Sequence, residues 1–181
     1  TVQLGRTLGV RHKLGMELNT LYQNQVMDVS ETETNLTRIL VEGLGISLKP
    51  KWTFTFKPGW EVRGEVVGGQ QLYAGEVDSY WEAGGKLTQA RTYGHKSELS
   101  INFQSLHWLY IDREQTDLQG NSVPGTSLAF WRPEVSGQWR HNWDAQRHWT
   151  TTTKVGWLWN QDNGSGYWDY DRLLLGQKVR W

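Results

Sequence analysis

The 181-residue chain contains no cysteine, only four prolines, and no excess of charge of either sign. Without cysteine it can form neither a disulfide framework nor a thiolate metal site, a composition suited to passage through an oxidising periplasm. Nineteen basic and nineteen acidic residues cancel, which argues against the bulk positive field of nucleic-acid-binding proteins. We therefore expect no nucleic-acid partner and look for partners in local charge.

The chain also lacks any run of about eighteen apolar residues, so the sequence predicts no transmembrane helix. Its first residues lack a basic start followed by an apolar core, so we expect any export signal to have been removed. The length predicts a single domain over residues 1–181, large enough to close a barrel. Twelve tryptophans are the compositional outlier.

One segment, from Trp52 to Val66, alternates over its whole length between two kinds of residue. Its even positions are apolar, proline or glycine, and its odd positions are mostly threonine or charged. A period of two indicates a strand with two different faces. Strands of soluble domains usually have about five or six residues, whereas a tilted strand that crosses a bilayer needs about ten. The segment predicts one long membrane-crossing strand with a local distortion near Pro58.

Other period-two segments are separated by turn-forming residues, and none shows a helical period. They are residues 8–22, 36–48, 80–91, 97–112, 128–141, 148–159 and 167–181. The total is about eight strands, or nine if Arg11, His12 and Lys13 form a turn. Lys49, Pro50 and Lys51 predict a tight turn into the Trp52 strand.

Short and long connections alternate along the chain. The predicted short turns are 49–51, 92–96 and 142–145, and the longer loops are 28–35, 67–79 and 113–126. Short periplasmic turns, longer extracellular loops and long antiparallel strands are the layout of outer-membrane barrels. In this layout the chain resembles a bacterial outer-membrane β-barrel protein, similar in size to the small eight-stranded members such as the OmpA membrane domain and OmpX. The fold class expected is therefore all-β, an antiparallel transmembrane β-barrel.

Two details carry the resemblance further. The last strand ends on Trp181 with Val179, Leu175 and Leu173 on the same parity, similar to the C-terminal aromatic signal by which such barrels are recognised for insertion, although members usually end in Phe. Tryptophans also fall near segment ends, as two interfacial girdles would require. The predicted girdle residues are Trp52, Trp81, Trp131, Trp139, Trp149, Trp157, Trp159, Trp168 and Trp181. The resemblance implies a bacterial outer-membrane location, with the lipid bilayer, lipopolysaccharide and the barrel-assembly machinery as partners.

The opposite parity predicts which side chains face the lumen. A basic wall is expected from Arg132, Arg140, Lys154, Arg172, Lys178 and Arg180, and its acidic partners from Glu61, Glu65, Glu82, Glu98 and Glu134. If these charges pair with one another, they fill a small barrel and leave no pore. If the barrel is wider, as part of a larger chain or oligomer, the basic wall forms a track for anionic solutes.

The function predicted is non-enzymatic, porin-like passage of small, anionic solutes or glycans. The alternatives are a structural or adhesion barrel acting through its extracellular loops and the barrel of a polysaccharide-export protein, which the junction at 167–172 resembles weakly. A further alternative is a soluble carbohydrate-binding β-sandwich with tryptophans stacked on sugars, which Pro58 and Pro133 favour because proline is unwelcome inside a paired strand.

No catalytic, cofactor or metal site is predicted. The five histidines have no metal-ligand spacing. Ser97 lies two residues from His95 and Ser105 two from His107, but such spacings are common by chance. Acidic residues of the loops, such as Asp28 or Asp162, are interpreted as solvated loop charge.

Overall fold

The computed structural model describes residues 1–32, 35–74, 78–94, 96–144, 146 and 148–181, with the side chains of 25–41 outside the description. Long strands dominate, as the period-two pattern predicts. In chain order they are β1 (Val2–Leu8), β2 (His12–Thr32), β3 (Asn35–Lys57), β4 (Trp60–Ala74), β5 (Tyr80–Tyr93), β6 (Ser97–Tyr110), β7 (Gln115–Thr116), β8 (Ser122–Val123), β9 (Ala129–Asn142), β10 (Thr150–Asp162) and β11 (Tyr170–Arg180). None of the described residues forms a helix long and apolar enough to cross a membrane.

Nine of the strands form one antiparallel sheet in the order β1-β2-β3-β4-β5-β6-β9-β10-β11. Each strand pairs with the next long strand along the chain, and β7 and β8 form a small ribbon within the β6–β9 connection. Within the described residues the sheet is open, because β1 and β11 each have a single strand neighbour. The all-β, antiparallel class is confirmed, whereas the count of eight strands is not; nine strands is the count given by a turn near Arg11.

The sheet is inside-out compared with that of a soluble protein. The polar side chains of Thr88 and Ser100 are 7% and 4% exposed, whereas Leu87 and Ile101, on the other face, are 52% and 59% exposed. Because no second sheet covers either face in the described residues, the sheet must curve around its polar side. Register partners form an apolar row across the outer side: Leu14, Trp52, Gly64, Leu87, Phe103, Val135, Trp157 and Leu173. The soluble two-sheet sandwich is therefore wrong.

The segment from Trp52 to Val66 is a hairpin and not one strand, so this prediction is wrong. The chain reverses at Pro58 and Gly59, and Gly59 has a φ of 76°. A two-residue turn alone would place residues of opposite parity face to face, as Lys57 and Trp60 are. A bulge between Thr55 and Lys57 shifts the register by one residue, so that all later pairs share parity. The alternation therefore survives the reversal.

The tight turn predicted at Lys49–Pro50–Lys51 is also wrong, because β3 continues through it. Pro50 lies opposite Met16 of β2, while the paired positions on β4 pass from Leu48–Gly68 directly to Lys51–Glu65. Pro133 likewise lies inside β9, opposite Ser105. Proline has no N–H to donate, and each proline lies where pairing with one neighbouring strand is interrupted. For Pro50 this neighbour is β4, and for Pro133 it is β10.

The connections at the two ends of the sheet differ from the prediction in part. The turn at 9–11 divides the predicted 8–22 strand, while β2 and β3 run to Thr32 and from Asn35, so most of the predicted 28–35 loop is strand. β4 likewise extends to Ala74. The 113–126 segment is a long connection, as predicted. Four turns, at 9–11, 58–59, 94–96 and 143–149, lie at one end of the sheet, called the short-turn end, and the other connections lie at the long-loop end.

Candidate functional site

The polar face of the sheet carries a cavity of about 320 Å³. Its middle is lined by uncharged hydrogen-bonding side chains, and charged side chains lie around them. The uncharged set is Thr88, Ser100, Asn102, Gln104, Ser136 and Gln138. Because each strand contributes alternate residues to this face, period-two alternation in β5, β6 and β9 is what builds the cavity wall. A lining of this kind offers hydrogen bonds to hydrated or hydroxylated solutes.

One cluster of charges beside the cavity lies on β2, β3 and β4. Lys51 Nζ lies 2.5 Å from Glu17 Oε2 and 3.4 Å from Glu65 Oε2. Glu17 also accepts hydrogen bonds from the amides of Asn19 and Gln3. Glu17 and Lys51 are not among the predicted lumen residues. Glu17 lies on the polar parity of the predicted 8–22 strand, from which no lumen residue is predicted, and the prediction places Lys51 in a turn. Once β3 runs through Lys51, its parity places it on the polar face.

A second cluster links the short-turn end of β4, β6 and β9. Arg63 Nη2 lies 2.9 Å from Glu61 Oε2, and Arg63 Nη1 lies 3.5 Å from Glu98 Oε1. Arg140 Nη2 lies 2.8 Å from the other oxygen of Glu98. Glu98 is therefore shared by two guanidinium groups, which resembles a small network more than an isolated surface pair.

Two further acids on the polar face also have partners. Lys154 Nζ of β10 donates to Glu134 Oε1 of β9 at 2.6 Å. Trp108 Nε1 of β6 donates to Glu82 Oε2 of β5 at 2.8 Å. Each described glutamate on the polar face of β2 to β9 is thus hydrogen-bonded or paired with a cation.

Several cations on the same face have no acidic partner among the described residues. Lys86 lies in register between Glu65 and Gln104, but Glu65 pairs with Lys51 instead. The Arg132 guanidinium lies 4.1 Å from the ring centre of Trp108, and its Nε is buried without a hydrogen-bond acceptor. Arg132 is held by a cation–π contact and not by a carboxylate. Uncompensated charge within the sheet is therefore positive.

The predicted lumen residues all lie on this polar face, as parity required, but they do not form one basic wall. Arg140 and Lys154 are neutralised by acids. Arg172, Lys178 and Arg180 lie on β11, at the open edge of the sheet, without acidic partners among the described residues. Their role in selecting solutes stays a prediction.

The predicted girdle tryptophans divide between the two ends of the sheet, with three exceptions. Trp139, Trp149 and Trp181 lie near the short-turn end, and Trp81, Trp131 and Trp159 near the long-loop end. Trp52 and Trp157 are exceptions because both lie in the outer apolar row, away from the strand ends. Trp168 is the third exception, since it lies in a loop.

Two connections at the long-loop end pack against each other. Trp168 Nε1 donates to Thr116 Oγ1 at 3.1 Å, and the Arg113 guanidinium lies 4.8 Å from the Trp168 ring centre. Leu128, which is 0% exposed, closes the base of the 111–128 connection. Asp117 accepts hydrogen bonds from the backbone and side chain of Asn121, which lower its pKa below the usual range. These contacts give the connection a defined shape.

The carboxylates of the 162–169 loop at this end accept hydrogen bonds from backbone N–H groups of the same loop. Asp162 accepts backbone N–H groups of Gly164, Gly166 and Trp168. Asp169 accepts the N–H of Asp162. Among the described residues there is no group of three or more His, Asp or Glu side chains that could hold a metal ion. Glu33, in the predicted 28–35 loop, lies outside the described residues.

A serine–histidine contact that sequence reasoning missed lies on the outer face at the short-turn end. Ser97 Oγ and His141 Nδ1 are 2.7 Å apart. The rings of Trp139 and Trp143 flank the imidazole, with centroids 5.4 and 4.6 Å away. No described carboxylate is within ion-pair distance of His141, so the group that would orient a catalytic base is missing. Ser105 instead accepts from Trp131 Nε1, and His95 lies outside the described residues.

No family model and no curated protein sequence matches the chain. Two solved structures of OmpT, an outer membrane protein of Vibrio cholerae, share its fold. The variant lacking loop L8 matches with a TM-score of 0.63 and 8% identity over 99% of this chain and 52% of that chain. In-vitro folded OmpT matches with a TM-score of 0.60 and 8% identity over 98% and 51%.

This chain therefore spans about half the length of the structures it matches. At 8% identity the likeness concerns the fold alone. It confirms the predicted resemblance to outer-membrane β-barrel proteins and supports the predicted outer-membrane location.

Proposed function

We propose that the polar face forms part of the wall of a solute-conducting lumen that prefers small anions. The proposal rests on one observation: among the described residues, acidic side chains of the polar face have partners, whereas some of its basic side chains do not. The described glutamates of that face are paired or hydrogen-bonded, whereas Lys86, which lines the cavity, has no acidic partner among the residues that the structure describes. Paired charges largely cancel beyond a few ångströms, so the unpaired lysine governs the local potential. Arg and Lys side chains that line a pore favour anions.

The size of the sheet supports an open lumen over a filled one. An eight-stranded barrel has an interior that side chains just fill, and wider barrels leave an aqueous channel. This sheet has nine strands and is still open at both edges in the described residues. A lumen wider than that of the small barrels follows if the sheet is completed by further strands.

Reversal potentials in planar bilayers under a salt gradient test the proposal. We expect the protein to pass anions better than cations, and Lys86→Gln to lower the anion-to-cation permeability ratio by roughly twofold at low salt, since one charge within a Debye length changes local ion concentrations modestly. The matched control is Arg91→Gln, which removes a cation that stacks on Trp60 and Tyr93 on the outer face. That variant should keep the wild-type ratio. Cation preference, or equal effects of both substitutions, would contradict the proposal.

A second candidate function is binding through the loops of the long-loop end. The observation that favours it is the ordered β7–β8 ribbon, which presents Leu118 to solvent at 70% exposure. A membrane-inserted protein without any conductance would favour this structural or adhesion role. Lipopolysaccharide and the barrel-assembly machinery stay predicted partners. The absence of enzymatic activity stays a prediction.

A further inference from the structure

The two edges of the sheet leave backbone hydrogen-bonding groups unpaired. β1 pairs only with β2, and β11 only with β10, within a part of the chain that the structure describes throughout. Inside a bilayer no water satisfies such groups, so an open sheet edge is not viable there. Both edges therefore need partner strands.

The direction of the strands restricts which partners fit. All eight junctions between the nine strands are antiparallel. An odd number of strands alternating in direction begins and ends in the same direction, so β1 and β11 run parallel to each other. Direct pairing of β1 with β11 would make a parallel seam. A second copy inserted in the same orientation would make two such seams, whereas an odd number of added strands keeps every junction antiparallel, as in most outer-membrane barrels.

Charge adds a second restriction at the β11 edge. Its polar face carries Arg172, Lys178 and Arg180, and β10 supplies no carboxylate to any of them. The polar face of β1 instead carries Gln3, Gly5 and Thr7. A second copy would thus bring no acid to the β11 edge. Other cations of this face pair with glutamates of adjacent strands, Lys154 with Glu134 and Lys51 with Glu17 and Glu65, whereas Lys86 and Arg132 do not within the described residues.

We propose that the sheet is completed by an odd number of antiparallel strands from polypeptide outside residues 1–181, and that the strand next to β11 carries acidic side chains on its polar face. Its other face is apolar, to continue the outward row of Leu173, Leu175 and Val179. The match of this chain to about half of a longer barrel agrees with this arrangement. The proposal does not depend on the anion preference of the lumen, which rests on Lys86.

Hydrogen exchange of the chain folded in detergent micelles tests the partner. The probes are two capped eleven-residue peptides of alternating leucine and glutamate or leucine and lysine. In the chain alone we expect fast exchange for the amides of β1 and β11 that point to the open edges, away from β2 and β10. The glutamate peptide should slow exchange of the open-edge amides of β11 by about tenfold or more, because pairing protects amides. The lysine peptide should not protect β11. The triple variant R172Q/K178Q/R180Q should lose the preference between the two peptides.

Three results would overturn the proposal. Equal protection of β11 by both peptides would show that the strand next to β11 does not need acidic side chains. Because the chain has no cysteine, Leu4→Cys and Leu175→Cys can be introduced together on the outward faces of the two edges. An intrachain disulfide would show that the chain closes on itself, and an interchain disulfide would show closure by a second copy. Neither readout measures conductance, so failure of the proposed pore would leave this result standing.

Discussion

At the residue scale, Gly59 shows how a single position fixes a hairpin. Its φ of 76° lies in the left-handed region, and a Cβ built there would lie 2.8 Å from the carbonyl oxygen of Thr92. Thr92 donates its own N–H to the Gly59 carbonyl at 2.7 Å. Glycine is required here both for the backbone conformation and for the close approach of β5.

We expect Gly59→Ala to lower the free energy of unfolding by roughly 2–4 kcal/mol, the sum of left-handed strain and displacement of the Thr92 backbone. Gly94→Ala is the matched control, because Gly94 has a φ of 57° but nothing within 4 Å of an added Cβ. It should lose only about 1–2 kcal/mol. Urea unfolding of protein folded into lipid vesicles measures both. Equal losses would show that crowding by Thr92 is unimportant.

At the element scale, pairing between β9 and β10 neutralises one cation of the predicted basic wall. Lys154 and Glu134 meet at 2.6 Å across this junction, and their side chains are 40% and 17% exposed. A pair with this much water contact adds about 0–1 kcal/mol to stability. Its main effect is therefore electrostatic, because it hides one cation of the lumen face.

We expect Glu134→Gln to raise the anion-to-cation permeability ratio, opposite to the effect of Lys86→Gln, because it frees Lys154. The change should be on the order of twofold at low salt and should fade as salt rises. Glu114→Gln serves as the control, since Glu114 lies in the 111–128 connection and accepts the backbone N–H of Gly125. Reversal potentials at two salt concentrations check the prediction. An unchanged ratio in Glu134→Gln would mean that Lys154 does not face conducted ions.

At the scale of the whole molecule, the reversal of polar and apolar faces sets the environment. Leucine, isoleucine and tryptophan side chains lie exposed across the outer face, whereas threonine and serine are buried on the inner one. An apolar area of this extent is far larger than soluble monomers present to water. The two faces suit hydrocarbon outside and a polar lumen inside.

Quenching of tryptophan fluorescence by brominated lipids tests this assignment of faces. Trp157→Phe removes a ring from the outer apolar row and should reduce the quenched fraction. Trp108→Phe removes a ring from the polar face, where Trp108 donates to Glu82 and stacks under Arg132, and should increase the quenched fraction because a shielded emitter is lost. Equal changes in the two variants would contradict the assignment.

The sequence by itself determined the fold class and the face on which each strand residue lies. Alternation is a local property of an extended backbone, so the parity of Trp131 and Arg132 assigned them to opposite faces without knowledge of any partner strand. The predicted lumen residues were placed on the polar face for the same reason, and the resemblance to outer-membrane barrels followed from strand length and polarity.

Only the tertiary structure decided where the chain reverses and which charges meet. Pro50 lies inside a strand and Pro58 in a turn, because the ladder of the neighbouring strand, and not proline itself, decides between the two. The pairing of Glu98 with two arginines and the contact of Ser97 with His141 join residues more than thirty positions apart. Such contacts depend on the register between strands, which the position of each turn and bulge fixes, and alternation continues unchanged through the turn at Pro58 and Gly59, so it does not reveal those positions.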